Sequence, residues 1–153
     1  MNNKILVLGI GNPILGDDGV GIHAVRELRK GPKDADFEEA SVSGLELVEL
    51  FRGYEKVIIV DAVKTRDGVP GKIYELSEQD IPSMHGLSPH DVDLRTAMEY
   101  GNRFIGRMPV VKIFGIEAGS VTDFRETLTP EVERSLVIVI EKIRKEIGEN
   151  GSA

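Results

Sequence analysis

Three short apolar runs constrain the fold of this chain more than any other feature of its sequence. They lie at Ile5–Leu8, Val57–Val60 and Val110–Ile116. Strands of a parallel sheet are buried on both faces and read as continuous apolar runs, whereas strands with one exposed face alternate. The three runs therefore predict buried parallel strands. Two further candidates, Phe37–Val42 and Lys72–Leu76, mix apolar with charged residues and predict half-buried strands.

Amphipathic segments separate and follow these runs, and four of them predict helices. The first, Gly19–Lys30, places small and apolar side chains on one stripe. Ser43 begins a capping-box pattern, and Ser88 and Thr129 are N-cap residues followed by proline. We expect the last helix to end before Gly148. Its expected core positions are Val132, Leu136, Val139, Ile140, Ile143 and Ile147. Strands alternating with helices predict an α/β sheet covered on both faces.

Length and composition exclude several classes of protein. The 153 residues suit a single domain, 1–153. They contain 19 Lys and Arg against 26 Asp and Glu, a net charge of −7, which argues against nucleic acid or an anionic membrane as a partner. Because there is no cysteine, disulfides, thiolate metal ligands and a cysteine nucleophile are excluded. The sequence shows no signal peptide or membrane-spanning run, so we expect a cytoplasmic protein.

Five of the 17 glycines fall between Gly9 and Gly21, directly after the first apolar run. A dinucleotide-binding loop would occupy this place, but the third glycine of its G-x-G-x-x-G pattern is replaced by Ile14. Pro13 also lacks the backbone N–H that a phosphate would use. No Walker pattern is present. We therefore expect no organic cofactor, and nucleotide binding is kept only as a remote alternative.

Carboxylates follow two of the apolar runs. Ligands of open parallel sheets bind outside the carboxyl ends of the strands, which makes Asp61 a functional candidate by position. The alternative interpretation is a cap or turn former that closes the strand. Of Asp17 and Asp18, one is expected to cap the first helix. The other is then left to act as a ligand or a base.

Three histidines are available to join these carboxylates. His23 lies inside the first predicted helix and is expected at the surface, His85 lies in a loop, and His90 lies in the first turn of the third helix. Two carboxylates and one imidazole suit borderline divalent metals such as zinc, iron or nickel. Three protein ligands with one open position are used for metal-assisted hydrolysis. No nucleophile elbow competes with this interpretation.

Six segments, in order along nearly the whole chain, resemble the maturation endopeptidases of nickel–iron hydrogenases. They are Gly9–Asn12, Asp17–Gly21, Ser43–Leu47, Val60–Ala62, Ser88–His90 and Leu128–Val132. The resemblance implies a three-layer α/β/α sandwich with a five-stranded, mostly parallel mixed sheet. The implied strand order is 2-1-3-5-4, with the fourth strand antiparallel.

The same resemblance implies an activity. Members of this family remove a C-terminal extension from the large-subunit precursor of a hydrogenase once nickel has been loaded. Their metal-contacting and catalytic residues correspond to Asp18, Asp61 and His90 here, with His85 as the competing imidazole. Nickel would be supplied by the precursor and would serve as a recognition signal, and the protease is expected to be a monomer.

Two alternatives to this function stay open. One is a metal-binding chaperone that holds the precursor without cutting it, and the other is a peptidase of the same fold that acts on another protein. Many relatives carry a glutamine and a proline after the last strand, where this chain has Ile116–Gly119. We therefore assign no shared role to that stretch.

Overall fold

A computed structural model describes residues 4–41, 45–77, 79–80 and 96–151 of the chain. The strands are β1 (Ile5–Ile10), β2 (Asp36–Ala40), β3 (Lys56–Val63), β4 (Ile73–Ser77) and β5 (Val110–Glu117). The helices are α1 (Val20–Leu28), α2 (Leu45–Glu49), α3 (residues 96–100) and α4 (Pro130–Gly151). A 3₁₀ turn, Gly16–Gly19, precedes α1, and a π-helical turn, Gly101–Ile105, follows α3.

The five strands form one sheet in the order β2-β1-β3-β5-β4. Strands β2, β1, β3 and β5 run parallel, and β4 pairs antiparallel with β5. This confirms the expected α/β class and the mixed five-stranded sheet, including the strand order that the resemblance implied. Because β2 and β4 are the edge strands, the three interior strands are β1, β3 and β5. These are the strands that the apolar runs predicted.

Two apolar clusters, one on each face of the sheet, make the three layers. Alternate residues of β1 point to opposite faces, as the two-residue period of a strand requires. Ile5 and Val7 pack with α1 and α4, whereas Leu6 and Leu8 pack with α2 and α3. All six core positions predicted for α4 are buried. Its helical stripe therefore faces the sheet as expected.

Three local predictions have a different outcome. Strand β3 does not end at Asp61 but continues to Val63, because the ladder with β5 extends through Asp61 and Gly115. Gly148 is inside α4 rather than beyond its end, since an exposed glycine weakens a helix by about 1 kcal/mol without terminating it. The predicted helix starts at Ser43 and Ser88 lie outside the described residues.

An ion-pair network on the α4 face joins that helix to three strands. Glu146 of α4 pairs with Lys56 of β3 and with Lys112 of β5. Glu75 of β4 pairs with Lys112 at 3.3 Å and with Lys142 of α4 at 2.9 Å. The hydrogen bond from Lys142 is the main reason that the pKa of Glu75 lies below its ordinary value of 4.5.

Glu75→Gln is expected to lower the free energy of unfolding at pH 7 by about 0.2–1 kcal/mol, because the pairs are partly exposed and screened by solvent. The lowered pKa of Glu75 means that this stability is present above pH 4.5 and is lost as the pH falls through the folded-state value. Urea unfolding at pH 7 and at pH 3 measures both effects. Glu141→Gln, the same change at an exposed glutamate of α4, is the control. A deficit that does not shrink as the pH falls from 7 to 3 contradicts the ionic origin.

Candidate functional site

The segment from the end of β1 to the start of α1 is packed so closely onto the sheet that it requires glycine at both of its ends. A Cβ at Gly9 would lie 2.1 Å from the carbonyl oxygen of Gly21, and a Cβ at Gly21 would lie 2.2 Å from that of Val60. A Cβ atom cannot lie this close to a carbonyl oxygen. The start of α1 therefore rests directly on the backbones of β1 and β3.

Three more glycines fold this turn onto itself. Gly16 has a φ of +57°, a left-handed conformation that favours glycine. A Cβ at Gly11 would lie 2.0 Å from the carbonyl oxygen of Asp18, and one at Gly19 would lie 2.7 Å from the Cα of Pro13. The glycine-rich segment is thus explained by contacts within the protein, and it needs no phosphate ligand.

Asp17 is a fully buried carboxylate that holds two distant segments together. Its Oδ1 accepts a hydrogen bond from the backbone N–H of Thr129 at 2.7 Å. Its Oδ2 accepts hydrogen bonds from the N–H groups of Gly119 and Ser120, at 2.7 and 3.2 Å, and from the Thr129 hydroxyl at 2.8 Å. One aspartate of the pair is therefore structural, as expected. It secures the residues before α4, however, rather than capping α1.

Asp18 is half-buried and points to the other side of the same turn. Its Oδ2 accepts a hydrogen bond from the backbone N–H of Asn12 at 2.9 Å. The side-chain Oδ1 of Asn12 accepts a hydrogen bond from the backbone N–H of Ile14 at 3.2 Å. Among the described residues this is the only hydrogen bond to the Asp18 carboxylate. No described residue donates a hydrogen bond to its Oδ1.

Asp61 lies within β3 and is 5% exposed. The interpretation of Asp61 as a turn former is wrong, because it pairs in register with Gly115 of β5. Its neighbours in alternation, Ile59 and Val63, belong to the cluster on the α2 and α3 face. Burying a carboxylate in an apolar strand costs free energy, so the position of Asp61 favours a functional role.

The fold places Asp18 and Asp61 near the carboxyl ends of two adjacent parallel strands. Asp18 lies in the turn after β1, and Asp61 lies two residues before the end of the adjacent parallel strand β3. His90 and His85 lie outside the described residues, so their part in the site stays a prediction. Within the described ranges no group of three or more His, Asp or Glu side chains forms a metal site. Of the predicted site, the described residues therefore supply two carboxylates, Asp18 and Asp61, and their role in metal binding or proton transfer stays a prediction.

Sequence reasoning missed a further buried carboxylate at this end of the sheet. Glu117, the last residue of β5, is fully buried. It accepts hydrogen bonds from the N–H and hydroxyl of Thr65, at 2.8 and 2.7 Å, and from the Tyr74 hydroxyl at 2.9 Å. Burial, followed by the bond to Glu117, raises the pKa of Tyr74. The sequence did contain a signal for Glu117, because a charged residue directly follows an apolar run there. The same signal identified Asp61.

His23 was expected at the surface but is half-buried. Its Nε2 is sheltered from solvent and has no hydrogen-bond partner in the part of the chain that the structure describes. Arg26, Glu27 and Lys30, which share its helical stripe, are exposed, so His23 lies on the outer side of α1 and only its ring is partly covered. His23 packs as part of the helix rather than joining the carboxylate pair.

The helices of the described ranges contain no segment long and apolar enough to cross a bilayer.

Comparison with known proteins links this fold to one family. Residues 22–146, a range that contains Asp61 and His90, match the family model HycI, hydrogenase maturation protease. The chain is 27% identical to the Hydrogenase 2 maturation protease of Escherichia coli K12, over 97% of this chain and 93% of that protein. Its structure resembles the hydrogenase maturating endopeptidase HybD from E. coli, with a TM-score of 0.83 and 27% identity over 97% of this chain and 94% of that one. The fold is also similar to that of the NiFe hydrogenase maturation protease HybD from Thermococcus kodakarensis, with a TM-score of 0.78 and 23% identity over 94% and 99% of the two chains.

Proposed function

The chain belongs to the hydrogenase maturation protease family, and we propose that it is the endopeptidase that removes the C-terminal extension from the nickel-loaded precursor of a nickel–iron hydrogenase large subunit. The observation that carries the proposal is that two carboxylates, Asp18 and Asp61, lie near the carboxyl ends of the adjacent strands β1 and β3. An endopeptidase needs groups that can bind a metal or move protons at the scissile amide. These two carboxylates have that chemistry.

Nickel enters this proposal as part of the substrate. Carboxylate oxygens and imidazole nitrogen suit a borderline divalent metal, so Asp18, Asp61 and His90 would complete the coordination of nickel delivered by the precursor. The protein has no cysteine, so it would contribute no thiolate ligand. The loaded precursor then binds more tightly than the empty one by the free energy of the added bonds.

Two chemical routes to cleavage are compatible with these residues. In one, nickel polarises the scissile carbonyl as a Lewis acid. In the other, a carboxylate acts as general base and removes a proton from the attacking water. In both, water adds to the carbonyl carbon, the C–N bond breaks, and the departing amine takes up a proton. Asp18, whose Oδ1 accepts no hydrogen bond from a described residue, is suited to either role.

The test compares nickel-loaded with nickel-free precursor. The purified protein is mixed with each form, and mass spectrometry follows the release of the C-terminal peptide. We expect release from the loaded form alone. Equal cleavage of both forms contradicts the role of nickel in recognition. Binding of the loaded form without cleavage indicates a chaperone, and failure to bind or cleave either form indicates a different protein substrate.

A further inference from the structure

Asp17 is held within the protein by four hydrogen bonds. Its Oδ2 accepts three, from the N–H groups of Gly119 and Ser120 and from the Thr129 hydroxyl, and its Oδ1 accepts one from the Thr129 N–H, at 2.7–3.2 Å. Its side chain is fully buried. Because the carboxylate is closed to solvent and bonded at both oxygens, we expect any effect of Asp17 on the reaction to pass through another residue.

The residue next to it is Asp18, and the turn that carries both is held from two sides. On one side the N–H of Asp17 donates to the carbonyl of Ser120 at 2.9 Å, and the N–H of Gly16 donates to the carbonyl of Arg125 at 2.8 Å. On the other side Asn12 donates to the Asp18 carboxylate. The position of that carboxylate depends on both attachments.

We infer that Asp17 is a positioning residue, which fixes the Asp18 carboxylate for cleavage by anchoring the Gly16–Gly19 turn to residues 119–129. The inference rests on the proposed function. It explains why two aspartates stand side by side: one is fixed by the protein and the other faces the reaction. Small displacements of a reacting group are costly, since about 1 Å of misplacement lowers a rate about a hundred-fold.

Asp17→Asn tests the inference without changing the size of the side chain. In either orientation its NH₂ group faces at least one backbone N–H, so the set of four bonds cannot re-form. We expect kcat of the folded variant to fall by about tenfold or more with little change in KM, because Asp18 is misplaced while substrate still docks. Ile143→Ala, in the α4 core, is the control for loss of stability alone and should retain the kcat of the folded protein.

A second readout needs no substrate. The amide proton of Asn12 reports its bond to Asp18, so its NMR resonance should move in Asp17→Asn and stay in place in Ile143→Ala. Thr129→Val removes one of the four donors and should give a smaller shift and a smaller loss of kcat, whereas Thr129→Ser, which keeps the hydroxyl, should restore both. If Asp17→Asn does not fold, the two Thr129 variants provide the test.

The outcomes separate this inference from the proposed function. An unmoved Asn12 resonance together with wild-type kcat in Asp17→Asn overturns the positioning role and leaves the peptidase proposal intact. If the wild-type protein cleaves no precursor, the proposed function is overturned. A moved Asn12 resonance in Asp17→Asn would then still support the structural coupling of Asp17 to Asp18.

Discussion

Asp61→Asn is expected to lower the rate of precursor cleavage by about a hundred-fold to ten-thousand-fold, the usual contribution of a group that acts as acid, base or metal ligand. The variant keeps the shape of the side chain and removes its charge. Asp18→Asn should give a loss of the same order. Its amide oxygen can still accept the bond from Asn12, so the turn keeps its geometry. Cleavage followed by mass spectrometry, with circular dichroism as a check of folding, measures both effects.

The controls for this prediction decide which residues form the site. Asp34→Asn, an exposed aspartate in the loop before β2, should retain full activity. His90→Ala should be as inactive as Asp61→Asn, and His85→Ala should not, if His90 is the imidazole of the site. Undiminished cleavage by folded Asp61→Asn would remove Asp61 from the mechanism.

Gly21→Ala is expected to destabilise the protein by about 3 kcal/mol or more, a loss in the range caused by overpacking a rigid core. The added Cβ would lie 2.2 Å from the carbonyl oxygen of Val60 and 2.6 Å from that of Ile10. Both are backbone atoms of central strands, so neither can move aside without breaking the sheet. Urea unfolding followed by circular dichroism measures the change.

Gly148→Ala is the matched control, because it is the same substitution in a helix. Apart from the backbone of its own helix, no atom of the described residues lies within 4 Å of a Cβ at Gly148. Alanine is the better helix former there, so this variant should gain about 0.5–1 kcal/mol. Opposite signs for the two variants would show that contact with the strands, rather than helix propensity, requires glycine at position 21. A loss below about 1 kcal/mol in Gly21→Ala contradicts the close packing, since an added methylene in a rigid core typically costs more.

The parts of the fold that sequence predicted are those encoded by short-range periodicity. The apolar run around Ile58 predicted a strand because both of its faces are covered, and the stripe through Val139 predicted α4 because one helical face packs on the sheet. The order of the strands came from the resemblance, since periodicity carries no information about which strands are neighbours. Asp61 was placed at a strand end because local turn propensity does not register the ladder with Gly115.

The division of labour between Asp17 and Asp18 could not be predicted. Both are aspartates in the same turn, and local rules treat them alike. The donors that distinguish them belong to residues 102, 103 and 112 positions further along the chain. Glu117 was missed for a related reason, because its partners on Thr65 and Tyr74 lie 52 and 43 positions away.

These separations also bear on the order in which the molecule can assemble. Contacts between residues far apart in the chain form late, because they must first overcome the entropy of closing a long loop. Strand β1 and the turn after it are synthesised early, but the four donors to Asp17 exist only once residue 129 has been added. A nascent chain therefore carries both aspartates long before it can fix them in place. If Asp17 positions Asp18 as inferred, the proposed cleavage activity is among the last properties that the chain acquires.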